Sequence, residues 1–420
     1  MLMLLTGMQS YADDVDAGLV ADVDTVADAA SPAQHHGHWS LGAIANMSYL
    51  IPKGPYAGAI LHSYGTSMYE LRAKWQADAA DNDPYEKGLN RPTLQAGLLY
   101  GDFSHIHMHK GTTPYESRIG SLWALYGGVQ YDVVRRQRWN LGVDLQNGVG
   151  YCPHPFDAQT NIDNELIGAP LSIFVNIGFY ARYRLSPTWS TVLGVDFKHF
   201  SNGSLKRPNL GVNTIGPSLT VQYDFGGKSK PDNPINPENP DYPENPEYLE
   251  NPDIKKGPFV EVTAAFGMKS LLDHFNVYHA NHCPLYGFFA TMVAPMYRYH
   301  RMHASGVAID YTYADYVYSH RDLDQKLGRH DERYSPHILG LSLRHELYYH
   351  HFSLAVGAGV YLHKQTGFLG RTEDGRFFQN IGLRYAFPFT RDRLFVGYNI
   401  KAHRFAKADC AQLLLGYRFK

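Results

Sequence analysis

The sequence predicts an all-β protein. An antiparallel transmembrane β-barrel of about eight strands comes first, followed by a second, duplicated barrel of about eight strands. Three observations carry this expectation. Segments of about ten residues alternate apolar and polar side chains, the period of a strand with one greasy face. The 420 residues include 31 Tyr, 21 Phe and 39 Gly but only 19% charged side chains, a balance that suits strands and interfacial aromatic belts. The end of the first half is also echoed at the end of the second. Leu193-Gly194-Val195-Asp196-Phe197-Lys198 aligns with Val396-Gly397-Tyr398-Asn399-Ile400-Lys401, and Thr220–Phe225 aligns with Leu414–Phe419.

The remaining composition narrows the class. A net charge of -2 leaves no basic field for nucleic acid. No apolar run reaches the length of a membrane helix, which leaves barrel strands open. Cys152, Cys283 and Cys410 lie far apart without metal spacing, so no disulfide, metal or cofactor is expected.

In chain order, residues 1–39 read as a truncated signal-like segment and a flexible lead-in. Met1–Ala12 has an apolar core and a small residue at a possible cleavage site, but no basic start. The tract that follows is acidic and Ala-rich, then His-rich, and His35-His36-Gly37-His38 reads as solvated tail rather than a metal site.

Residues 40–226 hold the first barrel. Alternation recurs from about Leu41, with strands expected near 57–63, 67–76, 94–103, 121–132, 141–149, 173–182, 188–200 and 219–225. The stretch at 141–149 sets Leu141, Val143, Leu145 and Val149 against Gly142, Asp144, Gln146 and Gly148. The polar set is small, as a narrow lumen requires. Residues 227–257 form an Asn-Pro/Glu repeat, a semi-rigid linker expected in the periplasm. Residues 258–420 alternate again, as in Val307, Ile309, Tyr311 and Tyr313 against Ala308, Asp310 and Thr312. In the aligned register His199 falls on Ala402 and Ser201 on Arg404. A one-residue slip brings His403 opposite His199. The second barrel is therefore expected to lack catalysis.

The chemistry gathers at Val195–Gly203. Trp189, Thr191, Leu193, Val195 and Phe197 share the strand parity of His199 and Ser201, so a base and a nucleophile continue a greasy face. On a membrane barrel this is where an enzyme acting on a lipid would carry them. The loop after Ser201 turns the chain back, which brings Asn213 beside His199. Backbone amides around Asn202 and Gly203, and the Asn209 side chain, are in reach of a developing oxyanion. Lys206 and Arg207 are candidates for lipid phosphates. The bland alternative is a polar strand end meeting an Asn/Gly turn.

Other motifs are weaker. There is no Gly-x-Ser-x-Gly elbow. His345-Glu346-Leu347-Tyr348-Tyr349-His350 is one residue too long for a zinc-protease helix. His105, His107 and His109 share a strand face, and His274, His279, His282 and Cys283 cluster in sequence.

His199-Phe200-Ser201-Asn202-Gly203, followed by Pro208-Asn209-Leu210-Gly211, resembles the signature of the outer-membrane lipid A 3-O-deacylase (acyloxyacyl hydrolase) family. The resemblance covers roughly residues 40–226 and rests mostly on 199–213. It implies an outer-membrane barrel with its site on the lipid-facing wall, and hydrolysis of the hydroxyacyl ester at position 3 of lipid A in lipopolysaccharide. By position His199 would be the base, Ser201 the nucleophile and Asn209 an oxyanion donor. Asn213 stands where described members carry a Glu that orients the His. The alternatives are a catalytically impaired barrel serving as scaffold or binding protein, and a single sixteen-stranded pore.

Overall fold

A computed structural model describes residues 37–52, 61–78, 83–111, 113–225, 256–278, 283–403 and 407–420. The signal-like segment, His35 and His36, nearly all of the linker, and His279 and His282 lie outside these residues.

The first eight strands are β1 (Gly37–Leu50), β2 (Gly65–Ala77), β3 (Thr93–Met108), β4 (Ser117–Arg135), β5 (Trp139–Tyr151), β6 (Leu171–Arg184), β7 (Trp189–Ser201) and β8 (Val212–Phe225). Each pairs antiparallel with its neighbours in sequence, and β8 closes on β1. The next eight are β9 (Gly257–Ser270), β10 (Leu285–His300), β11 (His303–Tyr313), β12 (His337–Tyr349), β13 (Phe352–His363), β14 (Phe377–Ala386), β15 (Leu394–His403) and β16 (Lys407–Phe419). They close separately, β16 on β9. Two closed barrels rule out one sixteen-stranded ring. Two boundaries differ from expectation. The first strand begins at Gly37, inside the expected lead-in. Of the strand expected near 57–63, residues 57–60 lie outside the described residues, and residues 61–64 form a loop with a single bridge, Leu61 to Met108.

Strand parity decides which side chains meet lipid. Leu125, Phe179 and Leu193 are more than half exposed on the outer wall. Trp39, Trp139, Trp189 and Phe225 stand outside at the end where β1 begins and β8 ends, and Tyr49 and Tyr151 stand outside at the far end. Two aromatic girdles around an apolar band are the signature of a bilayer-spanning barrel. Among the described residues no helix is long and apolar enough to cross a membrane.

The inner wall is polar at mid-height. Arg72 bridges Glu70 (2.8 Å) and Asp144 (2.7 Å), Lys198 lies 3.3 Å from Glu70, and the Tyr126 hydroxyl donates to Glu70 at 2.6 Å. Such charges persist in a water-poor lumen because each has a partner. Toward the far end the lumen departs from the small, polar set expected. Met68, Leu99, Phe103, Leu122, Phe174 and Phe200 fill it as an apolar plug. The second barrel repeats the charged layer with Arg384 to Glu261 (2.6 Å) and Arg418 to Glu346 (2.7 Å). Its far end is capped by α2 (Leu272–Tyr278), α3 (Val317–Lys326) and α4 (Gly367–Glu373).

One short helix, α1 (Pro84–Gly88), lies at the near end of the first barrel. Asp83 caps it, accepting from the Tyr85 and Glu86 amides (2.7 and 3.2 Å), and Pro84 supplies its first turn. The barrels stand side by side. The Tyr349 hydroxyl donates to Glu86 at the near end, Tyr398 donates to Asn147 between the walls, and Phe156 meets Phe275 edge-on at 5.5 Å.

Candidate active site

The hairpin from β7 to β8 builds the site. Register pairs His199 directly with Asn213, and on the other side Val175 with His199 and Ile173 with Ser201. Directly opposed side chains on one face of a sheet touch. His199 Nδ1 lies 2.7 Å from Asn213 Oδ1. An amide oxygen only accepts, so this contact puts the imidazole proton on Nδ1 and leaves Nε2 with its lone pair.

Gly211 backs the ring. Its φ of +81° belongs to the left-handed region, and a Cβ there would sit 2.9 Å from His199 Cε1. Backbone conformation and space therefore both call for glycine.

Ser201 ends β7 on the outer face yet is only 8% exposed. Its Oγ accepts from Asn209 Nδ2 at 2.8 Å and from the Gly203 amide at 3.4 Å. Asn209 is held in turn, its Oδ1 accepting from the Asn202 amide at 3.3 Å. Asn202 Nδ2 donates to the Lys206 carbonyl at 2.8 Å. The backbone and side-chain nitrogens of Asn202 are thus each engaged within the loop. It builds the loop, whereas Gly203 and Asn209 are the donors aimed at Ser201. Leu210 and Gly211 donate to the carbonyls of Glu165 and Leu166 (3.0 and 2.9 Å), which ties the loop to the one between β5 and β6.

Arg207 departs from the role expected of it. It is buried, and it donates through Nη2 to Ser204 Oγ (3.1 Å) and through Nε to the Ser270 carbonyl (3.3 Å) of the second barrel. Its guanidinium is turned away from a lipid headgroup. Lys206 remains half-buried in the loop.

Among the described residues the other clusters do not assemble into sites. His107 meets Glu116 at 3.0 Å, while His109 meets the Tyr115 carbonyl at 3.2 Å. His345 bonds Ser305 on the outer wall, and Glu346 points inward to Arg418. His403 faces the lumen and accepts from or donates to the Tyr361 hydroxyl at 2.9 Å, so the slipped alignment yields no outward His. Asp374, His403 and Asp409 bring ligand atoms within 4.8 Å of one another. Lys364 and Lys269 already sit 2.6 Å from the two carboxylates, and their ammonium charges oppose a cation. Burial in α3 pushes nearby His320 down to about 4. The cysteines Cys152, Cys283 and Cys410 are free.

Residues 70–222 match the family model described as Lipid A 3-O-deacylase (PagL). Residues 259–420 match the model described as Acyloxyacyl hydrolase, C-terminal domain. Among solved structures, Neisserial surface protein A is 10% identical over 44% of this chain and 97% of its own, with a TM-score of 0.28. The outer membrane enzyme PagL is 17% identical over the same shares, with a TM-score of 0.26. No curated protein matches the chain.

Proposed function

The chain belongs to the lipid A 3-O-deacylase family, its two barrels matching that family's deacylase and C-terminal models, and from this premise we propose that it hydrolyses the 3-O-linked hydroxyacyl ester of lipid A. The protein is an outer-membrane barrel of a hydrolase family.

In the proposed cycle His199 Nε2 takes the Ser201 proton as Oγ attacks the ester carbonyl. The Gly203 amide and Asn209 Nδ2, which donate to Ser201 Oγ at rest, are the donors this cycle would offer to the tetrahedral oxyanion. As the C–O bond to the sugar breaks, imidazolium returns the proton to the 3-oxygen. This releases the sugar hydroxyl and leaves an acyl-serine. Water, deprotonated by His199, attacks the acyl carbon, and the hydroxy fatty acid leaves as Ser201 is reprotonated. Asn213 keeps the ring in the tautomer this cycle needs.

The observation that carries the reading is the convergence of two donors on Ser201 Oγ, which sits on the lipid-facing parity beside His199. Mass spectrometry of lipid A from cells expressing wild type or Ser201→Ala tests it. Loss of one hydroxyacyl mass in the wild type alone is expected. Identical spectra from correctly inserted proteins would sink it. One observation favours a second reading. An amide at position 213 cannot stabilise imidazolium as a carboxylate does, as in a barrel that keeps the site without turnover. A silent wild type that gains activity as Asn213→Glu would support that reading.

A further inference from the structure

We propose that the second barrel is the clamp of the catalytic loop, with Arg207, Ser270 and the carbonyl of Ala408 as the positioning groups that hold Gly203 against Ser201. The proposal rests on the Ser201 reading above and gives the second barrel a part in it.

The loop needs a clamp because of its backbone. Gly203 and Ser204 are both left-handed, with φ of +62° and +71°. Glycine adopts this region freely, but a residue with a side chain stays there only where its surroundings hold it. Most of what surrounds Ser204 belongs to the second barrel. Its carbonyl accepts from the Ser270 amide (2.8 Å) and from Ser270 Oγ (3.1 Å). Its Oγ donates to the Ala408 carbonyl (3.3 Å) and accepts from Arg207 Nη2 (3.1 Å). Arg207 Nε donates to the Ser270 carbonyl at 3.3 Å, so one guanidinium fork joins both sides. Ser204 and Ser270 are essentially inaccessible to water, which keeps competing hydrogen bonds away.

The geometry ties this grip to the chemistry. Ser204 directly follows Gly203, whose amide points at Ser201 Oγ. Release of Ser204 lets that peptide rotate and carries the donor off the nucleophile. The second barrel also comes within contact distance of the site. A Cβ built on Gly203 would lie 3.4 Å from Ala411 Cβ and 3.6 Å from Ile173 Cδ1. Gly203, two residues after Ser201, is therefore walled by Ile173 of the first barrel and Ala411 of the second. Tyr398 with Asn147 and Tyr349 with Glu86 already join the barrels elsewhere. The polar contacts gathered on Ser204 and Arg207 fall on the one loop that carries the donors.

The test uses full-length wild type, Arg207→Ala, Arg207→Lys and Ala411→Phe, each checked for heat-modifiable barrel mobility on gels. Hydrogen exchange is followed across residues 203–207. Turnover is followed on lipid A and on a phosphate-free p-nitrophenyl fatty ester in detergent micelles. Arg207→Ala is expected to speed loop exchange about tenfold and to lower kcat about tenfold on both substrates, with KM little changed. Arg207→Lys keeps the charge but not the two-donor fork, and is expected to follow Arg207→Ala on the neutral ester. Ala411→Phe, which touches none of these polar groups, is expected to crowd Gly203 and lower kcat as well. Wild-type exchange in Arg207→Ala would overturn the clamp. So would a loss confined to lipid A, which would make Arg207 a phosphate contact. If wild type and Ser201→Ala were equally inactive, the deacylase reading would fall, and the exchange rates would still decide the clamp.

Discussion

Replacing Asn213 by Asp tests how His199 is held. The substitution is isosteric, so a carboxylate oxygen takes the place of Oδ1, 2.7 Å from Nδ1, without repacking β8. The present contact is a neutral hydrogen bond, with a net value of about 0.5–1.5 kcal/mol, while a bond to a charged partner is nearer 1.5–3 kcal/mol. Only the part realised when the ring becomes imidazolium lowers the barrier. That part is about 1–2 kcal/mol, or roughly 5- to 30-fold in kcat. Position 213 is half-buried at the wall, which argues for the lower end. The gain is smaller than the factor seen when a triad amide forces the wrong tautomer, because Oδ1 already accepts from Nδ1 here. The assay is the initial rate of hydroxy fatty acid release from lipid A micelles by mass spectrometry. Asn213→Leu, which removes the acceptor, serves as the opposite arm and should lose at least about tenfold. A folded Asn213→Asp with unchanged or lower kcat, or a fully active Asn213→Leu, would refute the orienting role.

Three further outcomes follow from the packing. Gly211→Ala places a Cβ 2.9 Å from His199 Cε1 at a φ of +81°, so the ring must move; kcat should fall about 100-fold while barrel mobility on gels is kept, and wild-type turnover would contradict the packing. Leu125 is 63% exposed near the middle of β4, and Leu125→Arg should cost about 2–4 kcal/mol in lipid-vesicle urea unfolding, against almost nothing for a water-facing site. Buried His320 is neutral in the folded protein, pushed down to about 4, whereas an unfolded His titrates near 6.5. Its contribution is complete above pH 6.5 and is lost as pH falls toward 4. The whole amounts to about 3 kcal/mol, so His320→Phe should flatten the acid limb of the stability curve in that window.

Much of this molecule is legible in the chain because a barrel repeats one rule. Alternation set Leu193, Val195 and Phe197 on one face, and isolated charges such as Asp144 and Lys198 marked the opposite face as the interior. The site is legible because His199, Ser201, Asn209 and Asn213 lie within a single hairpin, so local turn geometry alone brings them near one another. What escaped has longer range. Met68, Phe103 and Phe200 obey inward parity but are apolar, since the far end of the lumen is a packed core and not a wet interior. Gly37–Leu50 was partly hidden by the His-rich tract leading into it. The use of Arg207 depends on Ser270, 63 residues away, and that of Ser204 on Ala408, 204 residues away. No periodic pattern encodes contacts of that kind.

The side-by-side barrels also decide how a lipid would arrive. With Ile173 and Ala411 packed against Gly203, the proposed substrate would approach past Asn213 and the exposed Ile215 and Leu219 of β8. A lipid substrate of the proposed site would travel within the leaflet. Its supply is then set by mole fraction in the bilayer and by two-dimensional diffusion. Diluting lipid A with inert lipid should slow turnover even when its amount per volume of suspension is held constant.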